Sequence, residues 1–466
     1  MTEACDLPAT VLLARFADRS LSPVEVLRSV RSRVAAADGQ LAAMWALDWD
    51  GAQAAALASE SRWRAGTPCG ALDGVPITIK EMIATAGVPR PVGTAAGDMT
   101  PMAADAPPAA RVREAGAVIF GKTTNPDLGM LSSGLSSFHR LARNPWDITR
   151  TPGGSSAGAG AAAAAGYGPL HLGTDIGGSL RLPAGWCGIV TLKPSAGRVP
   201  IDPPYFGRVA GPMTRTVADA ALLMEVLAQA DARDFMSLPP QPIDWRNLHC
   251  DVAGLRIGLQ LDAGCGTPAS AATLSAVTAA AHLLEAAGAI VEPFAPVMTR
   301  AMLDGLDRFW RMRALIETST LPPERYALLL PYIREWLEAA RGYDGAAVFT
   351  GFDQIMRIRE AGAAAFRPYD FVISPVAPDT AFPAAQASPL DDPARPFEHI
   401  GFTVPWNMTG QPAAAIDCGH DADGLPIGLQ IVGHRFDDLG VLQLAAVHER
   451  LRGPQRPWPR PWEAAR

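Results

Sequence analysis

The stretch Gly173-Thr-Asp-Ile-Gly-Gly-Ser-Leu-Arg-Leu-Pro-Ala184 sets a serine hydroxyl, that of Ser179, at the end of a run of small, glycine-rich backbone. Gly177 and Gly178 let main-chain N–H groups converge in a concave turn, an arrangement that can hold the negative oxygen formed when a carbonyl is attacked. The stretch is then half of an acyl-transfer site, with Ser179 as candidate nucleophile. The other half lies upstream. Gly153-Gly-Ser-Ser-Ala-Gly158 offers a second serine, and Gly74-Val-Pro-Ile-Thr-Ile-Lys-Glu81 offers a lysine.

In this order and spacing the three segments resemble the amidase signature family, whose members use a Ser-cisSer-Lys triad. Lys80 stands at the family's lysine, Ser155 at its bridging serine in a cis peptide, and Ser179 at its nucleophile. Gly211-Pro-Met-Thr-Arg-Thr-Val-Ala-Asp-Ala220, Pro405-Trp-Asn-Met-Thr-Gly-Gln-Pro412 and Gly424-Leu-Pro-Ile-Gly-Leu-Gln-Ile-Val-Gly433 resemble its later blocks, so the likeness runs through most of the chain. The resemblance implies a single domain over residues 1–466, in an α/β fold with a mixed central β-sheet flanked by helices on both faces. It implies an oxyanion hole from the main-chain N–H groups of Ile176, Gly177, Gly178 and Ser179, with Asp175 and Arg181 supporting the loop. It also implies substrate contacts at Met130, Leu131 and Ser132, and no cofactor. Two positions depart from the pattern: Glu81 stands where aspartate is usual, and Thr191 where glycine is common. Both bear on local backbone, since a longer carboxylate reaches differently and threonine does not adopt a positive φ cheaply.

Composition narrows the class. With 466 residues, 48% hydrophobic and 19% charged, the chain can bury a large core, and its formal charge of −7 argues against a nucleic-acid surface. Met1-Thr-Glu-Ala-Cys-Asp-Leu-Pro8 lacks the basic and apolar regions of a secretory signal, so a cytoplasmic location is expected. Ala157 to Gly166 is about half the length needed to span a bilayer and reads as a tightly packed helix behind the active site; no membrane anchor is expected. Six dispersed cysteines without CxxC or Cys/His spacing imply no metal site. Expected partners are a small amide or carbamate substrate and, at most, a second copy of the chain, as monomer or homodimer.

Residues 1–65 read as helical: Ser22-Pro-Val-Glu25 is a capping box with proline at the first helical position, followed by Leu27, Val30 and Val34 on one face. From Val75 the pattern alternates, Ile77 and Ile79 against Thr78 and Lys80, a strand that delivers Lys80 at its end. Further strands are expected at Ala117–Phe120, Leu255–Leu259, Ala289–Pro293, Phe371–Ser374, Ala413–Ile416 and Ile427–Val432, with helices at Ala271–Ala287 and Leu439–Arg450. The stretch from about 299 to 351 matches no family block. Its aromatics, among them Trp310 and Trp336, suit a cover over the substrate or, on general grounds more often, helix-packing anchors.

A serine hydroxyl attacks an amide only when a base removes its proton, and Lys80 must supply that base in neutral form, which requires burial. Taken singly, each motif has a plainer meaning. A Gly-Gly-Ser-Ser run is usually a turn, a lysine at a strand end is usually solvated, and Ser156 reads as a structural hydroxyl. Lys122 in Gly121-Lys-Thr-Thr124 carries part of a nucleotide-loop pattern, rejected because the first glycine of GxxxxGK(S/T) is read as missing, with Ala117 or a neighbour near that position. His139 and His171 read as structural, GxSxG is absent around Ser179, and lysine is left as the base.

The leading expectation is hydrolysis of carboxylic amide C–N bonds through a serine acyl-enzyme, with a hydrophobic or aryl acyl group suggested by Met130 and Leu131. A carbamate presents the same acyl carbon, so urethane cleavage is the related alternative. A different class is the glutamine-hydrolysing subunit of a tRNA-dependent amidotransferase. A catalytically dead binding protein is disfavoured because all three triad positions keep the required residue types.

Overall fold

The computed structural model describes residues 3–463. At the N-terminal end the Ser22 hydroxyl accepts the Glu25 N–H at 3.2 Å, while the Glu25 carboxylate accepts the Ser22 N–H at 2.8 Å. This closes the expected capping box and starts the helix Pro23–Leu41, whose Leu27, Val30 and Val34 are buried.

Among the described residues, eleven strands form one mixed sheet. They are β1 (Met44–Trp45), β2 (Pro76–Lys80), β3 (Val118–Thr123), β4 (Leu170–Asp175), β5 (Val190–Lys193), β6 (Val209–Thr214), β7 (Arg256–Leu259), β8 (Ile290–Pro293), β9 (Phe371–Pro375), β10 (Ala413–His420) and β11 (Pro426–Gly433). The order is β1-β3-β2-β4-β6-β5-β10-β11-β9-β7-β8. β2 runs parallel to β3 and β4, and β7 to β8 and β9; the other neighbours are antiparallel.

Most buried side chains along the strands divide between two large cores, and Val372, Ala413 and Val432 join a third, smaller one. On β10, Ala414 and Ile416 join one core and Ala415 the other. Helices Pro23–Leu41, Val217–Leu227, Ala271–Ala286 and Asp438–Leu451 pack into the first, and Arg181–Cys187, Arg300–Thr318 and Gly345–Phe366 into the second. Helices on both faces of a mixed sheet make this the expected α/β fold. They also change the meaning of the alternation around Lys80. Thr78 and Lys80 are as buried as Ile77 and Ile79, because no face of β2 meets water.

The helix Ala157–Ala165 is buried at every residue, with Ala161, Ala162 and Ala165 in the first core and Ala159, Ala163 and Ala164 in the second. A Cβ on Gly158 would lie 2.2 Å from the Ala43 carbonyl oxygen, so only a residue without a side chain fits this approach. The helix thereby brings Ser155 and Ser156, just ahead of its first residue, against the end of β2. From residue 299 onward helices Arg300–Thr318, Pro323–Tyr326 and Pro331–Glu338 follow, in which Trp310 and Trp336 are buried. Among the described residues no helix is long and apolar enough to cross a membrane.

Candidate active site

Lys80 is 0% exposed, and its Nζ reaches three hydroxyls: Ser155 Oγ at 2.8 Å, Thr174 Oγ1 at 2.9 Å and Ser156 Oγ at 3.1 Å. Ser156 donates its proton to the Thr174 carbonyl at 3.1 Å and accepts the Thr174 N–H at 3.2 Å. Its remaining oxygen capacity can take an N–H of Lys80, as can Thr174 Oγ1. With two N–H bonds absorbed in this way, the lone pair of a neutral amine is directed at the Ser155 hydroxyl. Burial pushes the Lys80 amine down to about 7; the charges of Asp175 and Glu81 oppose that fall and Arg208 adds to it. The Gly154–Ser155 peptide is cis. Ser156, expected to be structural, touches the lysine directly. Thr174 was not singled out by sequence, because Gly173 interrupts the pattern of β4, the parallel neighbour of β2 that carries it.

Ser179 is half-buried and lines a cavity of about 260 Å³ together with Ser155 and Thr174. No hydrogen bond joins the Ser155 and Ser179 hydroxyls among the described residues, although both line the same cavity. The loop before Ser179 is held from below by Asp175, whose Oδ1 accepts the Gly178 N–H at 2.8 Å and whose Oδ2 accepts the Leu180 N–H at 3.1 Å. Gly178 therefore leaves the expected set of free oxyanion donors, because its N–H is already bonded. Its other requirement is steric: φ is +135°, and a Cβ would meet Thr403 Oγ1 at 2.7 Å.

Asp175 and Arg181 form a fully buried ion pair at 2.9 Å. Burial alone would raise the Asp175 carboxyl, but the Arg181 guanidinium and the Asn407 amide hold it well below the usual carboxylate range. Arg181 also donates to the Thr403 carbonyl and Gln430 Oε1, both at 2.7 Å, and to Asn407 Oδ1 at 2.5 Å. Asn407 donates to Asp175 Oδ1 at 2.9 Å, and Gln430 to Ser374 Oγ at 2.9 Å. Sequence assigned no task to the motifs around Asn407 and Gln430. They close the hydrogen-bond shell of the Asp175–Arg181 pair.

Of the other expected residues, Met130 lines the main cavity and also, with Leu131 and Ser132, a side cavity of about 20 Å³ between Ser179 and Leu182, Trp310, Phe397 and Ile400. Glu81, the longer carboxylate, accepts the N–H groups of Val92 at 2.9 Å and Gly93 at 2.5 Å. Thr191 sits in β5 and donates to the Pro212 carbonyl at 2.5 Å without a positive φ, so the backbone doubt attached to it falls away. His171 bonds Thr78 Oγ1 at 2.8 Å and the Gly168 carbonyl at 3.1 Å, in keeping with a structural part. Gly116-Ala-Val-Ile-Phe-Gly-Lys-Thr123 in fact completes the spacing of a phosphate-binding loop, with Gly116 as its first glycine. The fold removes that meaning: Val118–Thr123 is a buried strand, and Lys122 donates to the Ile83 carbonyl and the Thr85 hydroxyl.

The sheet, the buried lysine among hydroxyls and the serine on its glycine turn define a class: the chain belongs to the amidase signature family, whose enzymes hydrolyse amides. The Amidase family profile matches residues 25–442. The A-type subunit of glutamyl-tRNA(Gln) amidotransferase from Chloroflexus aurantiacus is 34% identical, over 97% of this chain and 98% of that relative. Among solved structures, a bacterial aryl acylamidase of the amidase signature family matches with a TM-score of 0.87 at 28% identity, covering 96% of each chain. A 6-aminohexanoate cyclic dimer hydrolase matches with a TM-score of 0.84 at 25% identity, covering 97% of each.

Proposed function

We propose that this chain hydrolyses carboxylic amides through an acyl-enzyme on Ser179, with Lys80 as base and Ser155 as proton bridge. Neutral Lys80 takes the Ser155 proton while Ser155 takes that of Ser179, and Ser179 Oγ adds to the carbonyl carbon. The oxyanion then meets the N–H groups of Ile176, Gly177 and Ser179. Collapse breaks the C–N bond as the same path returns the proton to the leaving nitrogen. Water, deprotonated along that path, adds to the acyl carbon and releases the acid. The observation that carries this reading is the 2.8 Å contact of a wholly buried lysine with Ser155 in the cavity that also holds Ser179.

The test is Ser179→Ala with covalent labelling. Amide turnover should fall by about 10³-fold or more, and a fluorophosphonate should modify Ser179 in the native protein. Labelling of Ser155 or Ser156 with Ser179 spared would overturn the assignment. Likeness to the amidotransferase relatives favours a second reading, in which the chain releases ammonia from glutamine only beside partner subunits. Hydrolysis of simple amides by the purified single chain, without ATP, favours the stand-alone enzyme. Carbamates enter the same screen, because the triad treats their acyl carbon alike.

A further inference from the structure

Three guanidinium groups, those of Arg90, Arg208 and Arg313, line the cavity that holds Ser155 and Ser179. The carboxylates beside them are fewer: Asp175 is engaged by Arg181, and Glu317, a largely exposed side chain, lies 3.4 Å from Arg313 Nε. That contact lacks hydrogen-bonding geometry, and Arg313 Nε is buried without a partner. Arg313 instead lies over the Tyr205 ring, 4.7 Å from its centroid, and points a terminal N–H at the Met130 sulfur, a weak acceptor, at 3.4 Å. Arg208 donates to the Pro203 carbonyl. Among the described residues neither Arg90 nor Arg208 has a carboxylate at ion-pair distance. Burial, then the charges of Arg90 and Arg313, push Arg208 down to about 10 despite Glu317 and Asp202. Gathering like charges around one small cavity costs free energy that an anion in the cavity would offset.

We propose that this cavity recognises an anionic substrate: an amide carrying a carboxylate within a few bonds of the scissile carbonyl, held by Arg208 and Arg313 while Ser179 meets the carbonyl. The scissile bond rests on the amide-hydrolase reading above; the anion site does not. At about 260 Å³ the cavity is below the roughly 300–1,000 Å³ of drug-sized pockets, which selects a short substrate. The side cavity beside Leu131 and Trp310, about 20 Å³, has room for roughly one water or methyl group, too little for an aryl ring. A guanidinium fork matches carboxylate geometry, and Arg313 is already held in place by its stacking on Tyr205.

Matched amides decide the matter. The kcat/KM for succinamate should exceed that for butanamide, its neutral counterpart, by about 10- to 100-fold, the range of hydrogen bonds to charged groups. The preference should shrink at high salt. N-acetylglycine against N-propylacetamide asks the same of a carboxylate on the leaving amine, so the two pairs tell which side carries it. Arg208→Met and Arg313→Met should each lose far more on the anionic amide than on the neutral one; if either fails to fold, Arg90→Met carries the comparison. A readout free of catalysis is succinate binding to Ser179→Ala by calorimetry, weakened at least about tenfold when Arg313→Met is added. Neutral amides preferred in both pairs, with no succinate bound, would overturn the proposal. Succinate bound by Ser179→Ala with no amide hydrolysed by the native protein would instead overturn the amide-hydrolase reading and leave the anion site standing.

Discussion

Lys80 on β2 and Lys122 on β3 stand on adjacent parallel strands, one register step apart: Ile79 pairs with Lys122 and Lys80 with Thr123. Both are buried, 0% and 2% exposed, and burial pushes both amines down to about 7. What differs is the partner. Lys122 donates to the Ile83 carbonyl and the Thr85 hydroxyl, neither of which lines the cavity that holds Ser179. Lys80 meets three hydroxyls, one of which, Ser155, opens on the cavity shared with Ser179. Lys193, the third and last lysine of the sequence, is also buried and donates to the Pro194 carbonyl. Burial lowers both amines alike; in the proposed mechanism the hydroxyl that faces a reaction space is what makes Lys80 the base.

Replacing the two strand lysines separates these effects. Lys80→Ala should slow amide hydrolysis by about 10²- to 10⁴-fold, the usual contribution of a general base. The proposed mechanism needs Lys80 deprotonated, and burial lowers its amine to about 7, so native activity should rise with pH through that value and then level off. The limb should vanish in the variant, and esters should suffer less than amides, because their leaving groups need the returned proton less. A limb unchanged in Lys80→Ala would assign the base elsewhere.

Asn407→Ala removes the 2.9 Å bond to Asp175 and should cost about 1–3 kcal/mol of stability. Acylation should slow, but the pH limb should stay in place, because the substitution touches the support of the nucleophile loop and leaves the lysine alone. Stopped-flow acylation across pH checks both parts.

The smallest effect on activity is expected from Lys122→Met. Its signature lies in stability: a lysine near 10.5 in the unfolded chain and about 7 in the folded one means that the unfolded state binds more protons between those values. Native stability should therefore gain from these lysines as pH rises from about 7 to 10.5. Lys122→Met should flatten part of that gain in urea-denaturation midpoints while the activity limb is unchanged. A shifted limb would mean that the two lysines are electrically one unit.

The parts of this arrangement that sequence exposed are those with a local code. The Ser22 capping box, the strand ending at Lys80, and the glycine turn before Ser179 each show in a few adjacent residues. β4 and β6 did not, because Gly173, Gly211 and Pro212 interrupt the apolar alternation on which strand reading depends. Nor did the acceptors that orient Lys80, or the parts played by Asn407 and Gln430, since their partners lie far away in the chain. The arginine cavity was hidden for the same reason. Arg90, Arg208 and Arg313 share no motif, and of the residues expected to meet substrate only Met130 lies in the same cavity as they do.

With three lysines in the chain, selective labelling isolates the central group. Lysine enriched with ¹³C at Cε and ¹⁵N at Nζ should give three side-chain signals, and Lys80→Met assigns one of them by its loss. Titration of that signal in the native protein should show a midpoint near 7, coincident with the rise in amide acylation. A Lys80 amine that stays protonated to about 10 while amides are hydrolysed at pH 8 would contradict a neutral lysine base.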